Sequence, residues 1–244
     1  KESLSVYQTM LAKIAEEASV PVALLLNESD DEEMVIEAAE NGFDMVMYAP
    51  VFASEAVPLK ELSEIQKRIV EKAHKKGVAV EGEVGELPLF NSATGELHEG
   101  EDTDPEVCYQ FVKDTGIDTV AVAVGNCHLK EDGMVKINYE ALQTLAEKID
   151  IPLVLHGGTS IAREDLTKAA GMGVAKVNFG TGMKRAVLNT VKKYFAEHDV
   201  DKMDPNDILG RGADKDILVL EKEAIIEYVE ETIRAMNGEG KALC

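Results

Sequence analysis

Short apolar runs, rich in β-branched residues and nearly unbroken by polar ones, recur along this chain at residues 20–26, 44–50, 78–84, 119–125, 152–156 and 174–180. Continuous rather than alternating hydrophobicity is what a parallel strand buried on both faces requires. Between the runs lie residues 30–41, 59–76, 104–115, 139–148 and 163–171, each with apolar residues at helical spacing. Cap chemistry marks where several of these helices start: Ser29 and Asp30 precede Glu32 and Glu33, and Thr103 precedes Asp104, Pro105 and Glu106. Gly42, Gly77, Gly116 and Gly173 each stand just before the next apolar run, where a helix ends.

Strand and helix therefore alternate, and right-handed βα repetition either closes as an eight-stranded barrel or spreads as a doubly wound sheet. Polar and Gly-rich residues follow the C-terminal ends of several different runs, which is where a barrel carries its site; an open sheet concentrates them at one switch point. The expected fold is α/β, a (β/α)8 TIM barrel over residues 1–244 as one domain. Residues 183–198 and 221–237 form a C-terminal helical extension. Six strands are visible and the chain opens inside a helical pattern at Lys1, so two further βα units are expected before it. Residues 87–101, with Pro88, Asn91, Gly95 and Gly100 and little periodicity, are the best candidate for a mobile loop over the site.

A formal charge of −21 argues against nucleic acid or an anionic membrane surface as the main partner. A small phosphorylated ligand stays compatible, because backbone N–H groups bind an anion whatever the net charge. Cys108, Cys127 and Cys244 show no paired or CxxC spacing, no apolar run is long enough to span a bilayer, and no signal segment opens the chain. A cytoplasmic protein is expected.

The segment Leu155-His156-Gly157-Gly158-Thr159-Ser160 closes an apolar run just before a helix. A Gly pair there lets backbone approach a ligand, and Thr159 with the helix N-terminus offers donors to an oxyanion, although a tight turn alone explains the glycines equally well. The next run ends Val177-Asn178-Phe179-Gly180-Thr181, and late neighbouring barrel strands commonly share one phosphate site. Gly157, Gly158, Thr159, Asn178, Gly180 and Thr181 are the candidate ligand-binding residues. His128 and His156 stand at the ends of consecutive runs, where two imidazoles can converge on one divalent ion. The third ligand comes from Glu28 or from Glu83. Glu81 and Glu83 alternate to one face; if it points inward they are functional, and if outward they are surface charges. His74, His98 and His198 are assigned to the surface.

Asp102-Thr103-Asp104-Pro105-Glu106, Phe111-Val112 through Thr115-Gly116-Ile117-Asp118, and Ala121-Val122-Ala123-Val124-Gly125 to His128 resemble the central segment of the class II, metal-dependent fructose- and tagatose-bisphosphate aldolases. Val154-Leu155-His156-Gly157-Gly158-Thr159 and Val174-Ala175-Lys176-Val177-Asn178 with Thr181 continue the likeness in the same order and spacing, from about Val20 into the C-terminal extension. The resemblance implies a lyase of carbohydrate metabolism that cleaves a phosphorylated ketose reversibly to dihydroxyacetone phosphate and an aldehyde. It implies a zinc cofactor, a cytoplasmic location and a homo-oligomer, dimer or tetramer. By the same resemblance His128 and His156 bind the metal, Gly157, Thr159, Asn178 and Thr181 hold the substrate phosphate, and Glu83 is associated with the metal.

Where the family carries an Asp-His pair after the first visible run, acid/base and third zinc ligand, this chain has Asn27-Glu28. Asn27 keeps the shape and loses the proton. Glu28 binds a metal through oxygen, giving two histidines and one carboxylate, a weaker Lewis acid that leans toward harder ions such as manganese. The acid/base then falls to Glu28, Glu83, Glu96, Glu99 or Glu101. Leu129 and Ser160 replace family glycines, and Tyr48-Ala49-Pro50 replaces a polar strand end. The alternative is a barrel that binds a sugar phosphate, or pairs with another subunit, without aldol turnover.

Overall fold

The computed structural model describes residues 3–50, 57–85, 87, 89–91, 94, 96–98, 100–128 and 135–242. In chain order the elements are α1 (Leu4–Glu17), β1 (Leu25–Ser29), α2 (Glu32–Glu40), β2 (Met45–Tyr48), α3 (Leu59–His74), β3 (Ala79–Val84), β4 (Leu89–Asn91), β5 (Glu96–His98), α4 (Pro105–Thr115), β6 (Thr119–Val122), α5 (Tyr139–Lys148), β7 (Leu153–Leu155), α6 (Arg163–Ala170), β8 (Val174–Val177), α7 (Thr181–Glu197), α8 (Pro205–Ile208) and α9 (Ile217–Ala235). Six strands form one sheet in the order β1-β2-β3-β6-β7-β8, every neighbouring pair parallel. Each crossover between them carries a helix, the βα repeat of a barrel wall. β4 and β5 make a separate antiparallel pair inside the segment expected to be a loop. Pro88, Gly95 and Glu99 of that segment, and Leu129, lie outside the described residues.

The strands bury two different faces. Val46, Tyr48, Val80, Val84, Val120, Val122, Leu153 and Leu155 pack outward, in one cluster with Val35, Ile69, Phe111, Leu142 and Leu166 of the covering helices. Gly82 sits on this outer side, where an added Cβ would come within 3.1 Å of the Phe111 ring of α4 and 2.7 Å of Ile117 just after it, so α4 lies close over β3. The alternate positions, Met47, Glu81, Ala121, Val154 and His156, point the other way and are also buried. Side chains reach across this inner face from β8 to β3, where Lys176 meets Glu81, and from β8 to β1, where Asn178 meets Asn27. The sheet is thus curled about its inner face as a half-barrel.

Helix starts follow the cap chemistry, with shifts of a residue. The α2 cap is Asp31, whose carboxylate accepts from Met34 N, while Ser29 Oγ accepts from Asp31 N. Asp104 caps α4 by accepting from Glu106 N and Val107 N, and Gly116 ends it at φ 72°, its N–H donating to Val112 O. Asp216 starts α9 four residues ahead of the expected 221 by accepting from Leu218 N. The largest departure is the first strand, expected at 20–26 and found at Leu25–Ser29, with Val20 and Val22 exposed. Pairing with β2 begins only where Asp44 N and Met45 N donate to Leu24 O, and it passes a register break between Leu26 and Ser29. Glu28 sits in that break at φ 53°, a conformation uncommon for a residue with a Cβ.

Candidate active site

The C-terminal ends of β1, β3, β6, β7 and β8 carry the polar side chains of the inner face. Two loops are pinned to hold them. After β6, the buried Asn126 accepts from Val124 N and donates to Val122 O and His156 O, locking the turn that delivers His128. After β7, Ser160 Oγ donates to Gly157 O and accepts from Cys127 N, so the residue standing in place of a glycine fastens the two loops together. Gly157 has φ 65°, and a Cβ there would lie 2.2 Å from Cys127 O, so only glycine fits. Thr103 Oγ1 donates to Val84 O and accepts from Ala123 N, tying β3 to β6 just below the site rather than capping α4.

Glu28, His128 and His156 come together at these strand ends, with one ligand atom from each within 4.8 Å of the others. His156 Nδ1 lies 2.8 Å from Glu28 Oε1, and His128 Nε2 lies 3.8 Å from the same oxygen. Both nitrogens are buried and make no aligned hydrogen bond, so Glu28 meets them as a charge. The two imidazoles stack at 5.8 Å, 22° apart in plane. Two ring nitrogens and a carboxylate oxygen converging on one buried space are the arrangement that a cation completes, displacing any proton held there.

Behind them, Glu81 is fully buried and inward, which rules out a surface role for that carboxylate. Its Oε1 is 2.9 Å from His156 Nε2, and Lys176 Nζ reaches both of its oxygens, at 3.1 and 2.9 Å. Burial opposes charge on His156, but the flanking carboxylates of Glu28 and Glu81 outweigh it and raise its pKa to about 9. Burial likewise opposes ionisation of Glu28 and Glu81, yet their histidine and lysine partners hold both below the usual carboxylate range. His128 has no such carboxylate bond at its ring, and burial lowers it. Glu83 is half-buried as a residue, but its Oε2 is closed off and unpartnered. Burial, with the charges of Glu28 and Glu81 adding to it, pushes its carboxyl up to about 7.

The glycine turn is built differently from the expectation. Gly158 N donates to Asn178 O, so this N–H faces the neighbouring strand rather than a ligand. A Cβ on Gly158 would stand 2.7 Å from Val177 Cγ1 and 2.8 Å from the Phe179 ring, so packing, not ligand approach, demands glycine. Thr159 Oγ1 accepts from Gly182 N in the first turn of α7, and Thr181 opens that helix. Gly180 precedes it with nothing within 4 Å of an added Cβ. A cleft of about 530 Å³ lies behind the turn, lined by Thr159, Phe179, Arg185 and Tyr228 among others; none of Glu28, His128 and His156 lines it. Asn27 is exposed in the middle of β1 and accepts from Asn178 Nδ2 at 3.1 Å. His74 is exposed and pairs with Asp118, whereas His198 is half-buried and stacks on Tyr194 at 4.4 Å. The side chain of His98 lies outside what is described.

Lys176 joins this cluster of side chains and was not among the site residues expected from the sequence. Its signal was present: a lysine in a four-residue apolar strand, alternating to the same face as Asn178.

Fold and site together define the class, an α/β-barrel protein with a candidate cation cluster at the C-terminal strand ends. The family model described as "Fructose-bisphosphate aldolase class-II" matches residues 2–241. A fructose-bisphosphate aldolase of Staphylococcus epidermidis is 34% identical over 227 residues, 92% of this chain and 73% of the relative. One of Streptococcus pneumoniae is 34% identical over 253 residues, 97% of this chain and 79% of the relative. Among solved structures, the YdjI aldolase of Escherichia coli K12 superposes with TM-score 0.74 at 27% identity, covering 99% of this chain and 78% of that one. A putative fructose-1,6-bisphosphate aldolase of Coccidioides immitis gives 0.73 at 28%, covering 98% and 79%. The chain belongs to the class II fructose-bisphosphate aldolase family, a family of carbon-carbon lyases. Among the described residues, no helix is long and apolar enough to cross a membrane.

Proposed function

We propose that this chain is a metal-dependent aldolase that cleaves a phosphorylated ketose to dihydroxyacetone phosphate and an aldehyde, with Glu28, His128 and His156 holding the ion. The observation that carries this reading is the convergence of two buried nitrogens, His128 Nε2 and His156 Nδ1, neither in an aligned hydrogen bond, on one carboxylate oxygen in a member of this family. When bound, the divalent ion supplies a Lewis acid that polarises the ketone and stabilises the enediolate. Two neutral imidazoles and one carboxylate suit zinc and favour manganese more than three imidazoles do.

The chain's own residues supply the rest. Glu81 fixes His156 from behind. Thr159, Thr181, Asn178 and the Gly157 turn bind the substrate phosphate near the first turn of α7, where helix N–H groups favour an anion. Glu83, with a carboxyl poised near neutral pH, holds a proton at Oε2 and is the acid/base of this site. Asn27 orients the substrate but exchanges no proton, so turnover falls below that of relatives with a carboxylic acid there. Apolar residues exposed on α7 and α9, Leu188, Phe195, Ile226 and Ile233, support assembly into a homo-oligomer. A cytoplasmic location completes the proposal.

The test is cleavage of fructose and tagatose bisphosphates by zinc- or manganese-loaded protein, followed through release of dihydroxyacetone phosphate. Slow turnover that is abolished by a chelator and by His128→Ala is expected. Tight binding of either sugar without cleavage would replace this reading with that of a sugar-phosphate-binding protein, and no binding at all would overturn it.

A further inference from the structure

Asn27, Asn178, Lys176, Glu81, His156 and Glu28 close a ring across the inner face. Asn27 and Glu28 are neighbours on β1, Lys176 and Asn178 lie two residues apart along β8 and its end, and the remaining links are polar contacts between strands. Lys176 decides the direction of the bonds on one side of this ring. An ammonium has three donors and no acceptor, and Nζ meets Glu81 Oε1 at 3.1 Å, Glu81 Oε2 at 2.9 Å and the Asn178 carboxamide at 2.5 Å. The Asn178 atom facing Lys176 is therefore its oxygen, and the other vertex of that planar group is its NH₂. That NH₂ lies 3.1 Å from the Asn27 carboxamide, so the Asn27 atom it meets is again an oxygen. The Asn27 NH₂ is then the vertex that Asn178 does not engage, on an exposed residue next to Glu28 in β1. Both amide orientations are fixed by their partners, because reversing either one would put donor against donor.

We infer that Lys176 is a positioning residue which, through Asn178, holds Asn27 with its amide N–H turned outward, so that the site meets its ligand there with a donor and selects an oxygen lone pair. The inference rests on the proposed function for the identity of the ligand, but not for the orientation of Asn27. It gives Asn27 a definite task in place of proton transfer: it stabilises a carbonyl, enolate or carboxylate oxygen by hydrogen bonding. It also distinguishes this chain from one with a carboxylate at position 27, which would present an acceptor to the same oxygen unless protonated.

Neutron diffraction from deuterated full-length protein places the amide deuterons directly. Asn27 deuterons pointing away from Asn178 are expected; deuterons pointing at Asn178 would overturn the inference, whatever the protein binds. The functional half is read by titrating phosphoglycolate, whose carboxylate only accepts, into zinc-saturated protein. Lys176→Met should weaken binding about tenfold, as expected for one hydrogen bond to a charged group, and Lys176→Arg, which keeps the donor, should restore most of it. Equal affinity in wild type and Lys176→Met would refute selection by Asn27. If the deuterons stand as expected but no form binds phosphoglycolate, the positioning role holds and the proposed function fails. Should Lys176→Met not fold, the deuteron positions alone decide the orientation.

Discussion

His156 is held from behind by Glu81: its Nε2 stands 2.9 Å from Glu81 Oε1, and both side chains are closed to solvent. A carboxylate on one ring nitrogen aims the other nitrogen and raises its basicity. Here Nδ1 is aimed at the space shared with Glu28 and His128.

The first prediction concerns protons. With its pKa near 9, His156 is an imidazolium in the metal-free protein at neutral pH, and a metal entering at Nδ1 must displace that proton. Affinity for zinc or manganese should therefore rise by about one order of magnitude per pH unit below 9 and level off above it. Calorimetry at pH 7.5 in buffers of different ionisation enthalpy should record release of about one proton. A pH-independent affinity would show that His156 is not a ligand.

Glu83 gives a prediction about stability. Its folded pKa of about 7 lies above the carboxylate value of 4.5, so the folded state keeps a proton that the unfolded state gives up. The contribution is fully present below about pH 4.5 and is lost as pH rises through 7, on the order of 3 kcal/mol in all. Urea denaturation of metal-free Glu83→Gln should show a smaller fall in stability between pH 5 and 8 than the wild type shows. Identical pH dependence in the two proteins would mean that Glu83 is ionised when folded.

Gly158→Val should destabilise the fold by about 1–3 kcal/mol, because the new side chain drives into Val177 and Phe179. Chemical denaturation measures this directly. Unchanged stability together with lost phosphate binding would restore the simpler view that Gly158 makes room for the ligand.

The contrast at Gly158 marks how far the sequence could be read. Uninterrupted apolar runs located the strands, and Asp104-Pro105 located the start of α4, because caps and periodicity are local physics. The first strand was misplaced because its pairing with β2 starts where Asp44 reaches Leu24, not where the apolar run starts. Local pattern put Glu81 and Glu83 on one face but could not say which face, since that depends on the sheet's curvature. Nor could it join Lys176 to Glu81, 95 residues away, or divide a ligand's glycine from a packing glycine.

Asn27 carries the prediction about rate. An acid/base at this strand end is typically worth 10²–10⁴-fold, so Asn27→Asp combined with Glu28→His should raise cleavage of fructose or tagatose bisphosphate by an amount approaching that range. Glu28→His alone should change metal preference more than rate. If steady-state assays find wild-type turnover already fast and Asn27→Asp without effect, Glu83 moves the proton unaided and position 27 does not limit the rate.

The central claim, that Glu28, His128 and His156 share one divalent ion, is tested most directly by anomalous diffraction from manganese-soaked crystals. One anomalous peak is predicted, within about 2.0–2.3 Å of Glu28 Oε1, His128 Nε2 and His156 Nδ1. An empty space between these three atoms at saturating manganese, or an ion bound at Glu83 and away from Glu28, would contradict it.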